Sequence, residues 1–149
     1  MSTEVVKTAD GFLKKEANQW GEIVNFYYKD PELKILHRLN DKPAIHGDKY
    51  KTSYWYVNGL LHRENDKPCI WWEYAGVNWW DEEWRIHGVL HRLNGPAKIH
   101  HPYQGNRSPQ DPQFWIGGVQ LSQEEHAKIK DDSEALKIWG IEYQNKETI

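Results

Sequence analysis

Aromatic and β-branched residues gather in short stretches along most of this chain, with no sustained recurrence every three or four residues. Glu22–Lys29, Tyr54–Val57, Cys69–Tyr74, Trp79–Ile86 and Ala97–His101 are of this kind, and such residues pack well on a pleated surface, so each predicts a strand. Turn chemistry separates them. Asn58-Gly59 lies between Tyr54-Trp55-Tyr56-Val57 and Leu60-Leu61, a strong two-residue hairpin signal, and Gly117-Gly118 repeats the idea. Asn40-Asp41-Lys42-Pro43 predicts a second turn, because Asn and Asp bond their own backbone while Pro fixes φ and withholds an N–H. Near the start, Glu4–Ala9 and Phe12–Lys15 flank Asp10-Gly11, and a hairpin is favoured there over a short amphipathic helix. Helix is scarce until residue 122. Ser122-Gln123-Glu124-Glu125 then has the form of a capping box. Ser133 can cap another turn or two through Trp139, with Gly140 placed to end it. Residues 102–112, with three prolines and a glycine among polar residues, read as a surface loop.

One pattern is repeated. Leu36-His37-Arg38-Leu39-Asn40-Asp41-Lys42-Pro43-Ala44-Ile45 recurs as Leu61-His62-Arg63-Glu64-Asn65-Asp66-Lys67-Pro68-Cys69-Ile70, and again, one residue shorter, as Leu90-His91-Arg92-Leu93-Asn94-Gly95-Pro96-Ala97. An aromatic stretch and a tight turn precede the later copies, and in a degenerate fourth copy Leu121-Ser122 stands where the His-Arg pair belongs. Each period is the size of one supersecondary unit. The expected architecture is therefore mainly β: tandem β-hairpin repeats forming an extended antiparallel sheet, capped by short C-terminal helices. Residues 1–149 form a single repeat domain, with units at about 20–46, 53–74, 79–101 and 113–121, and a helical cap over 122–140 that covers the last sheet edge.

Composition narrows the functional classes. The 149 residues carry a net charge of -3, which provides no global attraction to phosphate polyanions and argues against non-specific DNA binding. No apolar run approaches the ~20 residues of a membrane helix, and Met1–Lys7 lacks the order of a signal peptide, so cytoplasm is the expected location. The single Cys69 excludes an intrachain disulfide and takes the place of Ala44 and Ala97 in the sister copies, where a small buried thiol is inert. No cofactor or metal is expected: His87/His91 and His100/His101 form no recognised ligand motif, and there is no phosphate-binding glycine loop. Asp81-Glu82-Glu83 reads as an acidic strand edge ahead of an acid/base pair.

The repeat resembles the W-x-x-N-G-x-L-H-R-x-x-G-P-A arrays of divergent MORN-type repeat proteins found in large DNA viruses and tailed phages. Trp55-Tyr56-Val57-Asn58-Gly59, Leu61-His62-Arg63 and Leu90–Ala97 carry the likeness best, and it spans roughly residues 20–131. The first two turns depart from it by reading Asn-Asp-Lys-Pro, and Pro31-Glu32 interrupts the first unit where an Asn-Gly belongs. The resemblance implies a β-hairpin repeat fold in a viral or phage setting. It brings no common activity with it.

The His-Arg pairs and the tryptophans are the candidate chemistry. Stacked copies could present Arg38, Arg63 and Arg92 as a ladder of forked donors for carboxylates or phosphates, with His37, His62 and His91 beside them. The structural reading is that each His packs on a Trp and bonds a turn carbonyl while Arg pairs with Asp41 or Asp66. Adjacent strand residues point to opposite faces, so His and Arg cannot both line one surface unless the backbone turns. The same parity separates Trp71 from Trp72 and Trp79 from Trp80, which leaves some rings facing outward. Three functions follow in order. The first is a non-enzymatic binding protein that engages a host protein through an aromatic and Arg-bearing sheet face, using Trp55, Trp72, Trp80 and Trp84 with Arg38, Arg63, Arg92, His62 and His91. The second is a sponge for a small nucleotide ligand, with Trp stacking a base and Arg63 and Arg92 neutralising phosphates. The third is a hydrolase with His62 or His91 as base. Homo-oligomerisation through the uncovered first hairpin is open.

Overall fold

The structure, a computed structural model, describes residues 4–73, 80–102 and 112–138. Asp10-Gly11 does form a hairpin: β1 (Val5–Thr8) pairs antiparallel with β2 (Gly11–Ala17), Thr8 opposite Gly11. Next come β3 (Ile23–Tyr28), β4 (Ile45–Gly47) and β5 (Thr52–Tyr54). The chain then leaves the sheet for the short ribbon β6 (Tyr56–Val57) and β7 (Leu60–Leu61), and returns as β8 (Ile70–Glu73) and β9 (Trp80–Glu83). A second excursion, β10 (Arg85–Ile86) and β11 (Val89–Leu90), precedes β12 (Lys98–His101), and a third ribbon is β13 (Phe114–Ile116) with β14 (Val119–Leu121). The main sheet is an eight-stranded antiparallel array in the order β1-β2-β3-β4-β5-β8-β9-β12.

The repeat is thus split between two structures. Its strands at the unit boundaries build the sheet, whereas the Asn-Gly-type hairpins form three separate two-stranded ribbons. This refines the predicted strand over 79–86, which breaks at Trp84: that residue still donates its backbone N–H to the Ala97 carbonyl at 2.8 Å, but Arg85 already belongs to a ribbon. Trp79 lies outside the described residues, as do Tyr74 and residues 103–111 of the expected loop. β9 is an interior strand, so Asp81, Glu82 and Glu83 do not form an edge. Each is paired across the ladder or nearby: Asp81 with His100 at 2.5 Å, Glu82 with His101 at 2.8 Å, and Glu83 with Arg85 and Lys98 at 2.9 Å each.

Turn geometry explains the recurring Asn, Asp and Gly. Asn40 and Asp41 (φ 60 and 54), Asn65 and Asp66 (60 and 53), and Asn58 and Gly59 (50 and 79) all occupy consecutive left-handed conformations, the pair of φ values that a type I′ turn requires. Behind the turns the interior is narrow. Ala44, Cys69 and Ala97, equivalent in the three copies, are each 0% exposed, so only a side chain of one or two heavy atoms fits. Burial pushes the Cys69 thiol up to about 12, and it is inert as expected of that position.

Two helices follow the last ribbon, α1 (Gln123–Ile129) and α2 (Ser133–Ile138). The capping box is complete, with Glu125 N donating to Ser122 Oγ at 3.1 Å and Ser122 N to Glu125 Oε2 at 2.8 Å. The second cap differs from expectation. Asp132 Oδ1 accepts from Glu134 N and Ala135 N at 3.0 and 3.1 Å, and Ser133 becomes the first helical residue because a carboxylate is the stronger acceptor for orphan amides. Trp139 and Gly140 lie outside the described residues. No helix among the described residues is long and apolar enough to cross a membrane.

The tightness at the Ala/Cys position is testable by denaturation. Ala97→Leu should cost about 1–3 kcal/mol by overpacking, whereas Cys69→Ala should change stability by less than about 1 kcal/mol. A thiol reagent should modify the native protein only at the rate of unfolding.

Candidate functional site

Every candidate Arg turns back toward the preceding unit. Arg63 forks onto Asp41, Nε to Oδ1 at 2.6 Å and Nη2 to Oδ2 at 3.2 Å, while its Nη1 donates to the Pro68 carbonyl at 2.9 Å. Arg92 repeats this with Asp66 (2.7 and 3.1 Å) and the Pro96 carbonyl (3.1 Å). Arg38 reaches Asp10, at the tip of the first hairpin, with Nε and Nη2 both on the one oxygen Oδ2, at 3.1 and 2.9 Å, and its Nη1 donates to the Pro43 carbonyl at 3.2 Å. Beneath each guanidinium lies a ring: Tyr27 at 3.6 Å, Trp55 at 3.7 Å and Trp84 at 3.8 Å, measured to the ring centroids. The indoles are tied to the same turns, Trp55 Nε1 donating to the Asp41 carbonyl at 3.1 Å and Trp84 Nε1 to that of Asp66 at 3.0 Å. Lys67 adds a second cation to Asp41 at 2.5 Å. The Arg63 hydrogen bond is the main reason the Asp41 carboxyl is held at about 2.

Each His turns the other way, toward the following unit. His37 Nδ1 accepts from Asn58 N at 3.0 Å, His62 Nδ1 from His87 N at 3.1 Å, and His91 Nδ1 from Gly117 N at 3.2 Å. The expected bond to a turn carbonyl is therefore reversed: the ring is the acceptor, and a turn amide of the next ribbon is the donor. Neighbouring Gly59, Gly88 and Gly118 donate to the carbonyls of Leu36, Leu61 and Leu90, so the ribbons stack through paired contacts. An Nδ1 acceptor requires a neutral imidazole. Burial is the main cause that lowers all three histidines from their ordinary value, with Lys29, His87 and His126 as the respective secondary causes.

The ladder ends where its parts end. The third turn carries Gly95 in place of an Asp, and Ser122, at the fourth Arg position, caps α1 instead. His126 then takes the vacated place, its ring 5.0 Å from Phe114 and its Nε2–H donating to the Arg92 carbonyl at 2.7 Å. Among the candidate residues, Arg38, Arg63, Arg92, His62, His91, Trp55 and Trp84 thus all belong to this internal spine. A nucleotide sponge built on Arg63 and Arg92 meets guanidinium groups already committed on three sides. The hydrolase meets His91 at 8% exposure with its Nδ1 in use, and His62 stacked on His87 at 4.4 Å.

Trp72 and Trp80 lie elsewhere. Trp80 stacks on His101, with ring centroids 4.3 Å apart. Trp72 lines a cleft of about 280 Å³ with Trp20, Tyr50, Tyr54, Val24 and Thr52, together with Asn18 and Glu22. Pairing places its strand residues on one face, since Val24 lies opposite Gly47 and Gly47 opposite Thr52. Its rim is an ordered loop. Asn18 Oδ1 accepts from Trp20 N and Glu22 N at 3.0 Å each, and this fixes Trp20 with 57% of its surface exposed, edge-on to Tyr50 at 5.8 Å. Glu22 is 5% exposed and holds Asn18 Nδ2 at 2.7 Å and Tyr50 N at 2.9 Å. Gly47 is required beside it, because a Cβ there would stand 2.5 Å from Glu22 Oε1. Sequence reasoning passed over Trp20, Glu22, Tyr50 and Tyr54. The signal available was that Trp20-Gly21-Glu22 falls outside the repeated motif, so the repeat gives that Trp no structural duty.

Among the described residues, no group of three or more His, Cys, Asp or Glu side chains has metal-holding geometry. No family model matches the chain, and neither the curated proteins nor the solved structures give a match to it.

The spine predicts a specific hierarchy. Arg63→Ala should cost about 2 kcal/mol through lost charge-assisted bonds, and Arg63→Lys should recover little of it because an ammonium cannot fork. Acid should act in two stages. Histidines ordinarily titrate near 6.5 and the three folded ones below that, so stability is intact above this pH and falls as pH drops through the lowered folded values. The Asp41 contribution, present above its ordinary 3.8, is lost only as pH falls through about 2. Urea midpoints measured between pH 7 and 5 should decline, and should do so less in His91→Gln.

Proposed function

We propose that this protein is a non-enzymatic binding module that engages a partner protein through the aromatic sheet face around Trp20 and Trp72. The observation that carries this reading is the division of labour among its aromatic rings. Trp55 and Trp84 are spent inside the spine, under guanidinium groups and bonded to turn carbonyls. Trp20, at the start of the first unit and ahead of its repeated motif, is held by a dedicated loop and largely exposed at a cleft that Trp72, Tyr50 and Tyr54 also line. An exposed, positioned Trp beside a concave aromatic surface has the makings of an interface anchor. The resemblance of the repeat to arrays of large DNA viruses and tailed phages supplies the setting: an accessory protein acting in the host cytoplasm on a host protein.

Crosslinking in host extract should give one dominant partner. Trp20→Ala should weaken that complex by about 2 kcal/mol or more, as at a hot spot, with the urea midpoint unchanged because the ring is exposed. Undiminished binding in both Trp20→Ala and Trp72→Ala would remove this face from the interaction.

A further inference from the structure

We propose that the cleft is an aromatic cage for the methylated ammonium of a lysine side chain on the partner. This rests on the protein-binding reading above and names the chemistry that its central pocket takes. Four rings converge on the space, those of Trp20, Tyr50, Tyr54 and Trp72. The electron-rich face of such rings attracts cations, most strongly when the site sheds water. Among the described residues, Glu22 is the one carboxylate in the lining and supplies negative charge, and no Lys or Arg is in that lining. Among the described lining residues a phosphate-bearing ligand finds no counter-charge, whereas a cation meets aromatic rings and the field of a carboxylate.

The carboxylate is built in. Its two oxygens accept from Asn18 Nδ2 and Tyr50 N, and the glycine at position 47 leaves it room. With each oxygen already accepting a hydrogen bond, Glu22 acts on a ligand mainly through its field. That suits an alkylated ammonium, which has few N–H groups to satisfy and loses less hydration than a bare ammonium when rings enclose it. The volume of about 280 Å³ accommodates a side-chain head group and is at the small end for an entire drug-sized ligand, for which roughly 300–1,000 Å³ is usual. Lys49 Nζ stands 5.1 Å from the Tyr50 centroid, a contact that a cation bound on that ring displaces.

The test uses the full chain and three probes: Nα-acetyl-trimethyllysine methylamide, the same compound with unmodified lysine, and a neutral analogue with a tert-butyl group in place of trimethylammonium. Binding is followed by NMR shifts of the Trp20 and Trp72 indole N–H signals. The trimethylated probe should bind about tenfold or more tightly than the neutral analogue, the margin expected of a partly desolvated cation–π contact, and more tightly than lysine. Trp20→Ala should abolish that preference without loss of folding, and Glu22→Gln should reduce it. Equal binding of the neutral analogue or of unmodified lysine would overturn the cage, as would the absence of indole shifts at about 10 mM probe, well above the weak end of ligand affinities. If partner capture still depends on Trp20 while the charge preference is absent, the binding face stands and the cage falls.

Discussion

The array depends on one junction: a carboxylate from the turn of one unit, forked by the Arg of the next, with that Arg lying flat on an aromatic ring. Asp10–Arg38–Tyr27, Asp41–Arg63–Trp55 and Asp66–Arg92–Trp84 are three copies of it. A thin sheet with few fully buried side chains among its described residues has little apolar interior there to orient its units. Directional contacts supply the orientation instead, because a planar guanidinium satisfies a carboxylate, a carbonyl and a ring face in only one pose. In the second and third copies the indole N–H of Trp55 or Trp84 then ties the ring to the same turn that presents the acid, so these two junctions are closed on themselves.

The neighbouring His works in the opposite direction. Because it accepts an amide of the next ribbon, each unit is bound to its predecessor by Arg and to its successor by His. The pair stands just past the end of its ribbon strand in the second and third copies, and its two side chains leave in opposite directions. The same arrangement also explains how the ladder stops. Removing Asp at position 95 and Arg at 122 removes both halves of the next junction, and a helix whose His126 covers Phe114 seals the end.

A scaffold that consumes its own polar chemistry leaves little for a ligand along the spine. What it does provide is a rigid sheet on which loop residues 18–22 can present an aromatic surface. The organisation of that loop around Asn18, and the clearance at Gly47 that admits Glu22, are local features with no counterpart in the repeat motif.

Much of the architecture was legible in the residues: the hairpin at Asp10-Gly11, the two-residue hairpin turn at Asn58-Gly59, the turn at Asn40–Pro43, the capping box at Ser122 and the pairing of repeat Arg with Asp41 and Asp66 are short-range chemistry or follow from a repeated pattern. Asp10 as the partner of Arg38, 28 residues away, carries no such pattern, because the first copy borrows its acid from a hairpin outside the repeat. Likewise Tyr27 replaces Trp in that copy, a substitution visible only when the ring is found under Arg38. The cleft was decided by the tertiary structure alone. It gathers Trp20, Tyr50, Tyr54 and Trp72 from separate segments through strand register, and the face each strand residue takes depends on where the chain leaves the sheet, which no periodicity encodes.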